Sequence, residues 1–365
     1  MTDCKRYLTK SLKHKTNALF TGEAAADMMK MPEGEYQYRG DTMGLYDEFR
    51  FKPASFLPHS EMPLEELERI RNIKREDMEY TNEYGYSVKI TLDPYAVMMG
   101  DIFARILQSD LEDKPFTMIC PNQDPEHYIP VAELINKHNV NCRNVHAFAM
   151  DEWADEDGNV APLTYGAGLG YSFMNHFYMR IREDLRPPIE QWHTHNNENK
   201  KDELYSKLID EAGDGGADVI YSATGWPGHT AFVDPRTEEF HADSLEEFLT
   251  YGSRIVTETP LTIAENSLFS PMGAAGDVWA VPPKAATIGP RDVMHARERV
   301  ELHSILNNQA GDSWQRMISR LELYGPISME CPASILRLGK GTCYVSEAIA
   351  KPFRSWYNGI PDWEL

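Results

Sequence analysis

Short apolar runs alternate with longer stretches of helical periodicity over most of the chain. The runs are Phe116–Cys120, Val145–Met150, Val219–Ala223 and Val300–Ile305, and the clearest helical patterns cover Ala96–Leu107 and Pro130–His138. Strands interleaved with helices indicate βαβ units and a mostly parallel sheet that is covered on both faces. The pattern therefore predicts an α/β fold whose functional groups follow the carboxyl ends of the strands.

Residues 1–85 differ in character from the rest of the chain. They contain few alternating apolar runs and many Met and Tyr residues. In the stretch Pro63–Tyr80 the apolar residues Leu64, Leu67, Ile70 and Ile73 have helical spacing on a charged background, which predicts a helix. The sequence predicts a partly helical N-terminal extension over residues 1–85, with this helix lying on a main domain over residues 86–365.

The composition is that of an ordinary globular protein with a strong acidic bias. Apolar residues make up 42% of the 365 residues and charged residues 25%, which argues against wholesale disorder. Asp and Glu number 57 against 36 Lys and Arg, so the formal charge is −21. Such a field repels phosphate backbones, and nucleic acid is therefore not expected as a partner.

Membrane spans, secretion signals and disulfides are not expected either. No window of about 18 apolar residues occurs, and the basic residues between Lys5 and Lys15 precede no apolar stretch of the signal-peptide type. The 5 cysteines are scattered without CxxC spacing, so neither a disulfide framework nor a zinc site is indicated. We therefore expect no metal, and a reducing, cytoplasmic location.

The apolar run that ends at Met150 continues directly into Asp151 and Glu152. A carboxylate half-shielded at the edge of a sheet would have its pKa raised by desolvation, toward the range of a useful general base. The alternative is that the two adjacent acids cap the helix that follows.

A second candidate segment follows the run Val219–Ala223. Gly225 and Gly228 permit a tight loop in which backbone N–H groups approach a ligand, and His229 and Asp234 come next. An imidazole held by a carboxylate can take and return a proton near neutral pH. The alternative is a loop histidine that hydrogen-bonds the backbone.

Two further patterns carry weaker signals. His193 and His195 lie one residue apart in a polar stretch, and we interpret them as a solvated loop rather than a metal-chelating pair. Trp153 and Trp226 flank the two candidate motifs, where they would either stack on a sugar face or pack the loops.

Taken in order, these segments resemble the glucosamine-6-phosphate deaminase/isomerase family. The matching segments are Met150–Trp153, Tyr171–Met174, Gly225–Pro235, Ala285–Gly289 and Pro332–Leu336. The resemblance covers roughly residues 86–347. It implies a three-layer α/β/α fold with a mostly parallel, Rossmann-like sheet of the phosphosugar isomerase/CoA-transferase-like type. Proteins of such families often assemble, so a homo-oligomer is allowed by the resemblance although no residue of the sequence shows it.

The resemblance also implies roles for individual residues. Asp151 is the base that moves a proton between C2 and C1 of the sugar, and His229 helps to open the ring with support from Asp234, a shorter acid than the family's Glu. This agrees with the chemistry, because proton transfer on a sugar needs a carboxylate base and a neutral imidazole within hydrogen-bond reach. The reaction of the family requires no metal or organic cofactor.

The departures from the family concern one carboxylate and the phosphate contacts. Pro227 stands where the family has an Asp before Gly-His, so that carboxylate is absent. Of a family Arg-x-Lys pair only Arg254 remains, and residues 307–310 lack the lysine of a later motif. Losing several basic contacts together suggests a ligand without this phosphate, or one that is held differently.

The family's glycine-rich phosphate loop is replaced as well. Here residues 121–125 contain Asn122, Gln123 and an added acid, Asp124, whose charge is unfavourable beside a phosphate. The predicted substrate contacts are therefore Asn122, Gln123, Gly225, Trp226, Gly228 and Arg254.

Three hypotheses for the function follow. The first is an enzyme that performs aldose–ketose proton transfer on an amino sugar or its phosphate, with or without ammonia release and with an altered substrate. The second is a catalytically weakened homologue that binds a sugar, supported by Pro227 and the altered phosphate loop. The third is a 6-phosphogluconolactonase-like hydrolase, because Thr230 after His229 matches that relative, whereas Phe232 and Asp234 match the deaminases.

Overall fold

The computed structural model describes residues 53–121, 125–305 and 313–352. The first part of the predicted extension, residues 1–52, lies outside these ranges, as do Asn122, Gln123 and residues 307–310. The helices are α1 Leu64–Arg71, α2 Pro94–Glu112, α3 Pro125–His138, α4 Leu169–Ser172, α5 Leu204–Ala212, α6 Leu245–Phe248, α7 Pro260–Asn266, α8 Pro290–His295, α9 Gln315–Tyr324 and α10 Glu347–Ala350. The strands are β1 Tyr80–Thr81, β2 Tyr86–Thr91, β3 Phe116–Cys120, β4 Val145–Ala149, β5 Asp151–Ala154, β6 Trp192–His193, β7 Val219–Ser222, β8 Arg254–Thr257, β9 Lys284–Thr287, β10 Glu298–His303 and β11 Gly341–Ser346.

Eight strands form the central sheet in the order β1-β2-β11-β10-β7-β3-β4-β6. Every neighbouring pair is parallel except β1 and β2, which are antiparallel. The sheet is mostly parallel because the segments that connect its strands cross over through a helix, so that successive strands begin at the same edge of the sheet. The α/β architecture that the alternating pattern predicts is confirmed.

The central strands are buried on both faces, which makes the domain three-layered. All residues of β3 are buried, and side chains alternate between the faces of a strand. Met118 therefore joins the apolar core formed with Ile102 of α2 and Val131 of α3. Its neighbour Ile119 joins the core on the opposite face, which contains Val293 of α8. Helices thus cover the sheet on both sides, as predicted.

Strands β5, β9 and β8 form a separate three-stranded antiparallel sheet. The chain leaves the central sheet at Met150, whose N–H donates to Cys120 at 2.8 Å and whose carbonyl accepts from Ile288 at 3.1 Å. Asp151 begins the second sheet and pairs with Thr287. The sequence predicts a single strand running out into Asp151, whereas the chain changes sheets at this point. The backbone next to Asp151 is consequently held by hydrogen bonds to both sheets.

Of the stretch Pro63–Tyr80 that is predicted as a helix, the part Leu64–Arg71 forms α1, whereas the rest leads through a short 3-10 turn at Arg75–Asp77 into β1. Ile70 of α1 is buried against Ile318 and Leu321 of α9, so the helix packs on the main body. Strand β1 also adds to the central sheet by pairing with β2. The end of the segment predicted as an extension is therefore in contact with the sheet and its helices.

Local sequence determines where α2 begins and ends. The side chain of Asp93 accepts a hydrogen bond from the N–H of Ala96, and Pro94 occupies the first helical position. The helix ends at Asp113, which adopts a left-handed conformation. Among the helices of the described ranges, none combines the length and apolar character needed to cross a bilayer.

Candidate active site

A cleft opens at the carboxyl ends of the parallel strands, the edge where α/β sheets form their sites. It encloses about 920 Å³, including its open mouth. Five lining residues each follow a different strand: Tyr95 after β2, Pro121 after β3, Asp151 after β4, Ala223 after β7 and Ile305 after β10. The cleft is therefore built from the segments in which the sequence predicts functional groups.

His229 lies in this cleft and is held firmly by Asp234. Its Nδ1 is 2.5 Å from Oδ1 of Asp234, and both side chains are buried. The second carboxylate oxygen of Asp234 accepts from the Thr262 hydroxyl at 2.6 Å and from the Thr259 N–H at 3.1 Å. Because Nδ1 is engaged with the carboxylate, Nε2 is the ring atom left for a ligand.

The two loop glycines have different structural roles. Gly225 lines the cleft beneath the His229 ring, and a Cβ there would lie only 1.9 Å from Nε2. Gly228 adopts a φ of +92°, and a Cβ there would meet the Cys331 sulfur at 2.9 Å. Its carbonyl accepts from the N–H of Ala333 at 2.9 Å, which ties the loop to the segment after α9. Gly225 thus makes room for the imidazole, whereas Gly228 permits the turn and does not line the cleft.

The different surroundings of Asp151 and Glu152 give these two neighbouring acids different roles. Glu152 points away from the cleft and accepts hydrogen bonds from the N–H groups of Trp153, Leu169 and Gly170, at 2.8, 3.0 and 2.7 Å. It therefore caps the start of α4, which is the structural alternative considered for this pair of acids. Asp151 lines the cleft and is 7% exposed.

The surroundings of Asp151 suit a general base. Burial, and to a smaller extent the charge of Glu152, raise the pKa of Asp151 to about 7, while His229 opposes this increase. A carboxyl group with a pKa near the working pH both ionises and accepts a proton readily.

The imidazole of His229 is cationic at neutral pH. Burial alone would lower its pKa, but the carboxylates of Asp234 and Glu265 outweigh this effect and raise the pKa to about 9. The sequence predicts a neutral imidazole. In the structure the ring is protonated instead, because two buried carboxylates face it. His229 is therefore equipped to donate a proton first.

Glu265 is a site residue that the sequence analysis does not identify. It lies on α7, lines the cleft, and places Oε2 3.7 Å from Nε2 of His229. The same oxygen accepts from the N–H of Trp226 at 2.9 Å. Burial raises the pKa of Glu265 to about 7, and His229 opposes the increase. The one feature of the sequence that could have identified Glu265 is that it is an acid among the mostly apolar residues of a short helix.

The two tryptophans beside the site motifs are placed differently. Trp153 is buried, lines the cleft and packs on Phe232 with ring centroids 4.8 Å apart. Trp226 is 39% exposed, is not among the residues that line the cleft, and lies 6.0 Å from the Trp314 ring. Of the two, Trp153 is the one available to contact a bound sugar.

Arg254, predicted to contact the substrate, has other partners in the structure. Its guanidinium is 2.9 Å from Glu203, donates to the carbonyl of Glu239 at 2.6 Å, and stacks over the rings of Phe240 and Tyr251. It is not among the residues that line the cleft. These contacts connect β8 to its neighbours in the fold.

We expect Arg254→Ala to lower the free energy of unfolding by about 1–2 kcal/mol, because it removes a stacked and paired side chain. The melting temperature should fall by about 2–6 °C while the KM for any sugar stays within about twofold. Thermal melts and steady-state kinetics check this. A tenfold rise in KM without a change in melting temperature would return Arg254 to the substrate site.

The prediction of a solvated loop at His193 and His195 is wrong. His195 is 2% exposed, donates from Nε2 to the Met150 carbonyl at 3.1 Å, and stacks on Tyr205 with centroids 3.7 Å apart. His193 stacks on Phe148 at 4.1 Å. Burial lowers the pKa of His195 to about 3 and that of His193 to about 4, so both are neutral. His195 therefore supports the backbone immediately before Asp151.

The described lining of the cleft carries two carboxyl groups, those of Asp151 and Glu265, and the cationic ring of His229. No Lys or Arg belongs to it within the described ranges. Glu258 is also buried nearby, and burial together with Asp234 raises its pKa well above the usual range, which keeps this carboxyl neutral. The part of the cleft described here thus offers a phosphate no Lys or Arg, and its cationic ring, His229, is already paired with Asp234.

A second, wider depression of about 1250 Å³ lies near His59, Arg236 and Glu330. Arg236 and Glu330 are already paired with each other at 2.7 Å. The depression contains no acid–base pair comparable to His229 and Asp234 among its described lining residues. The chemistry is concentrated in the first cleft.

The chain is similar in sequence to curated glucosamine-6-phosphate deaminases. No protein-family model matches the chain. A curated glucosamine-6-phosphate deaminase of Caenorhabditis elegans is 29% identical over 174 residues, which cover 47% of this chain and 56% of that enzyme. A second, from Corynebacterium kroppenstedtii, is 27% identical over 237 residues, which cover 60% of this chain and 75% of that enzyme. The chain thus spans just over half the length of the first relative.

Solved structures share the fold. A monomeric glucosamine-6-phosphate deaminase aligns with a TM-score of 0.55 at 20% identity, covering 72% of this chain and 98% of that one. The 6-phosphogluconolactonase of Trypanosoma brucei aligns with a TM-score of 0.50 at 15% identity, covering 73% and 98%. The chain thus shares its fold with a glucosamine-6-phosphate deaminase and with a 6-phosphogluconolactonase. The two curated sequence matches, both to glucosamine-6-phosphate deaminases, agree with the resemblance that the sequence motifs carry.

Proposed function

We propose that this protein is an enzyme that transfers a proton between C2 and C1 of an amino sugar, converting an aldose into a ketose with release of ammonia. The observation that carries this proposal is the meeting of Asp151 and the His229–Asp234 pair in one cleft. A buried carboxylate of raised pKa and a cationic imidazole are the base and the acid that such a reaction needs.

The residues divide the reaction between them. As the pyranose opens, His229 donates a proton from Nε2 to the ring oxygen and the O1 hydroxyl releases its proton to water; His229 then regains a proton from solvent, and Asp234 stabilises the imidazolium that forms. Asp151 removes the proton from C2 of the open aldose and delivers it to C1, while O1 gains a proton and the 2-amino group loses one through solvent. For a 2-amino sugar the product of this transfer is a ketimine, which water hydrolyses to the ketose and ammonia. The reaction balances without an oxidant or a metal.

Glu265 offers a replacement for the carboxylate that is lost at Pro227. The family places an acid directly before Gly-His, and here a carboxylate oxygen from α7 lies 3.7 Å from Nε2 of His229. A carboxylate at this position maintains the positive charge on the imidazole, whichever segment supplies it. The presence of Glu265 supports an active enzyme over a weakened, sugar-binding homologue.

We further propose an altered substrate in which a phosphate contributes less to binding than it does in the relatives. The lining of the cleft supports this, because its described residues offer a phosphate no Lys or Arg, whereas the carboxylates of Asp151 and Glu265, when ionised, attract an ammonium group. A 2-amino sugar, phosphorylated or not, is the class that we expect. The predicted contacts Asn122 and Gln123 stay predictions, as does a homo-oligomer.

The test is proton NMR in heavy water with purified protein, glucosamine 6-phosphate and a panel of unphosphorylated amino sugars and aldoses. We expect the C2-proton signal of one amino sugar to disappear, with ammonia released in parallel. A lactone-opening assay on 6-phosphogluconolactone runs beside it. Lactone hydrolysis without C2 exchange would favour the lactonase-like alternative, which Thr230 supports. Tight binding of a sugar without turnover would favour the sugar-binding alternative.

The pH dependence of the exchange should be bell-shaped, with an optimum near pH 8. The rate should rise with pH through about 7, as Asp151 loses its proton, and fall above about 9, as His229 loses its own. In Glu265→Gln the alkaline limb should move to lower pH, because one of the two carboxylates that raise the pKa of His229 is gone. Initial rates from pH 5 to 10 check both statements, and an unchanged alkaline limb in the variant would contradict the role of Glu265.

A further inference from the structure

Four ionisable side chains are completely buried behind the floor of the cleft. Glu301 and His303 of β10, Glu322 of α9 and Cys343 of β11 each have 0% exposure, and we refer to them as the buried cluster. They lie in the layer between the central sheet and α9, where a domain of this kind normally contains apolar side chains. Burying two carboxylates there is costly unless they are compensated.

The ligand atoms of the buried cluster have the spacing of a metal site. Nε2 of His303 is 3.1 Å from a carboxylate oxygen of Glu301 and 3.3 Å from one of Glu322. Single ligand atoms of Glu301, His303 and Cys343 all lie within 4.8 Å of one another. In a tetrahedral zinc site with bonds of about 2.0–2.3 Å, neighbouring ligand atoms are about 3.3–3.6 Å apart. Nε2 of His303 is at about this spacing from Glu301 and Glu322, and Cys343 lies within 4.8 Å of Glu301 and His303, so the four side chains are grouped around one common position.

The hydrogen bonds of the described residues leave the buried cluster incompletely satisfied. The second carboxylate oxygen of Glu322, Oε1, is buried without a hydrogen-bond partner among the described residues. The ion pairs of Glu301 and Glu322 within the described ranges are both with the single ring atom Nε2 of His303. One imidazole therefore faces two carboxylates. A divalent cation would allow both carboxyl groups to ionise and would complete the coordination of the unpaired oxygen.

We propose that Glu301, His303, Glu322 and Cys343 bind one divalent transition-metal ion of the zinc type, with a structural role. A thiolate and an imidazole select a borderline ion such as Zn²⁺ over Mg²⁺ or Ca²⁺, which prefer oxygen ligands. Four protein ligands fill a tetrahedral shell and leave no open position, which is typical of a structural rather than a catalytic site. The ligands come from three separate elements, β10, α9 and β11, so the sequence contains no ligand-spacing motif that would predict the site.

The proposed site would support the loop that contains Gly225. The hydroxyl of Thr224 donates to Glu301 at 3.0 Å and also contacts Glu322. The carbonyl of Thr224 accepts from the side-chain amide of Gln315 at 2.8 Å. Thr224 lines the cleft and directly precedes Gly225. A metal ion that holds both carboxylates in place would consequently fix the start of the loop that contains Gly225 and His229.

The experiment is metal analysis of the full-length chain, expressed without a histidine tag and purified without chelators. We expect about one equivalent of zinc per chain, falling below about one tenth in Cys343→Ser and in His303→Gln. Cys142→Ser is the matched control, because Cys142 is also a buried free cysteine but belongs to the opposite core. The control should retain the full equivalent.

A cobalt measurement keeps the proposal falsifiable where zinc is lost during purification. The chain is unfolded and refolded with Co²⁺, and the near-ultraviolet charge-transfer band of a cobalt–thiolate bond is recorded. The band should be present in the wild type and in Cys142→Ser, and absent in Cys343→Ser. No zinc in the purified chain together with no cobalt–thiolate band after refolding overturns the proposal, as does a band that survives in Cys343→Ser. Neither readout depends on the enzymatic activity.

Discussion

Replacing Asp151 with Asn is expected to lower the rate of C2-proton exchange by about 10²–10⁴-fold, the usual contribution of a positioned general base. Asn has nearly the same shape as Asp, and the strand that carries the residue is held through Met150 and Thr287. The variant should therefore keep the cleft and lose only the proton acceptor. Proton NMR in heavy water with the identified sugar measures the rate directly.

The same substitution should not destabilise the fold, and its effect on stability should depend on pH. The pKa of Asp151 is raised in the folded chain to about 7, so ionising it costs folding free energy increasingly as the pH rises from about 4 to 7. The amide side chain of the Asp151→Asn variant does not ionise and avoids this cost. The variant should be more stable than the wild type above pH 7, by an amount on the order of a few kcal/mol at most, and equally stable near pH 4.

Glu152→Gln provides the contrasting control. Glu152 accepts three backbone hydrogen bonds and does not line the cleft. Its replacement should lower the melting temperature and leave the exchange rate per folded molecule within about threefold, because no proton acceptor of the reaction is removed. If Glu152→Gln abolished exchange and Asp151→Asn did not, the assignment of the base would have to be exchanged between the two neighbours.

Adding a single methyl group at Gly225 is expected to reduce the exchange rate by about 10²-fold or more. The new Cβ would lie 1.9 Å from Nε2 of His229 and 2.4 Å from its Cδ2, so the imidazole has to move. A displaced ring loses its alignment with the sugar, and a shift of about 1 Å in a catalytic group commonly costs this much. The bond from Nδ1 to Asp234, 2.5 Å in the wild type, should also be weakened.

Two readouts separate this effect from general damage to the fold. The imidazole resonances of His229 should shift, and its pKa should fall from about 9 toward the ordinary range as the ring leaves Asp234. Gly166→Ala is the matched control, since a Cβ at that loop position has no atom within 4 Å. We expect the control to retain full activity. Normal exchange in Gly225→Ala would show that His229 is not the group that acts on the substrate.

Much of the fold follows from local pattern. The apolar runs at Phe116–Cys120 and Val145–Met150 are strands of the central sheet because residues buried on both faces of a parallel sheet form continuous apolar segments. Asp151 and His229 could be predicted from the sequence as site residues for a related reason. Each follows such a run, and the carboxyl ends of parallel strands meet at one edge wherever the intervening helices pack.

The remaining features depend on contacts between residues that are far apart in the chain. Glu265 reaches His229 because α7 packs beside the loop, and Arg254 is turned toward Glu203 rather than the cleft by the packing of β8. His195 is buried because the chain passes beneath Met150, although its neighbours in sequence are polar.

The buried cluster shows most clearly that contacts between distant residues cannot be predicted from local sequence pattern. Glu301 and His303 lie in a run that periodicity alone predicts to be an apolar strand, and the strand is indeed present as β10. Their partners Glu322 and Cys343 come from α9 and β11, and no local rule relates these positions to each other. Periodicity specifies which residues form strands and helices, because it depends on the repeat of each element. The grouping of acids around one imidazole depends on how those elements pack, and that is determined by the tertiary structure.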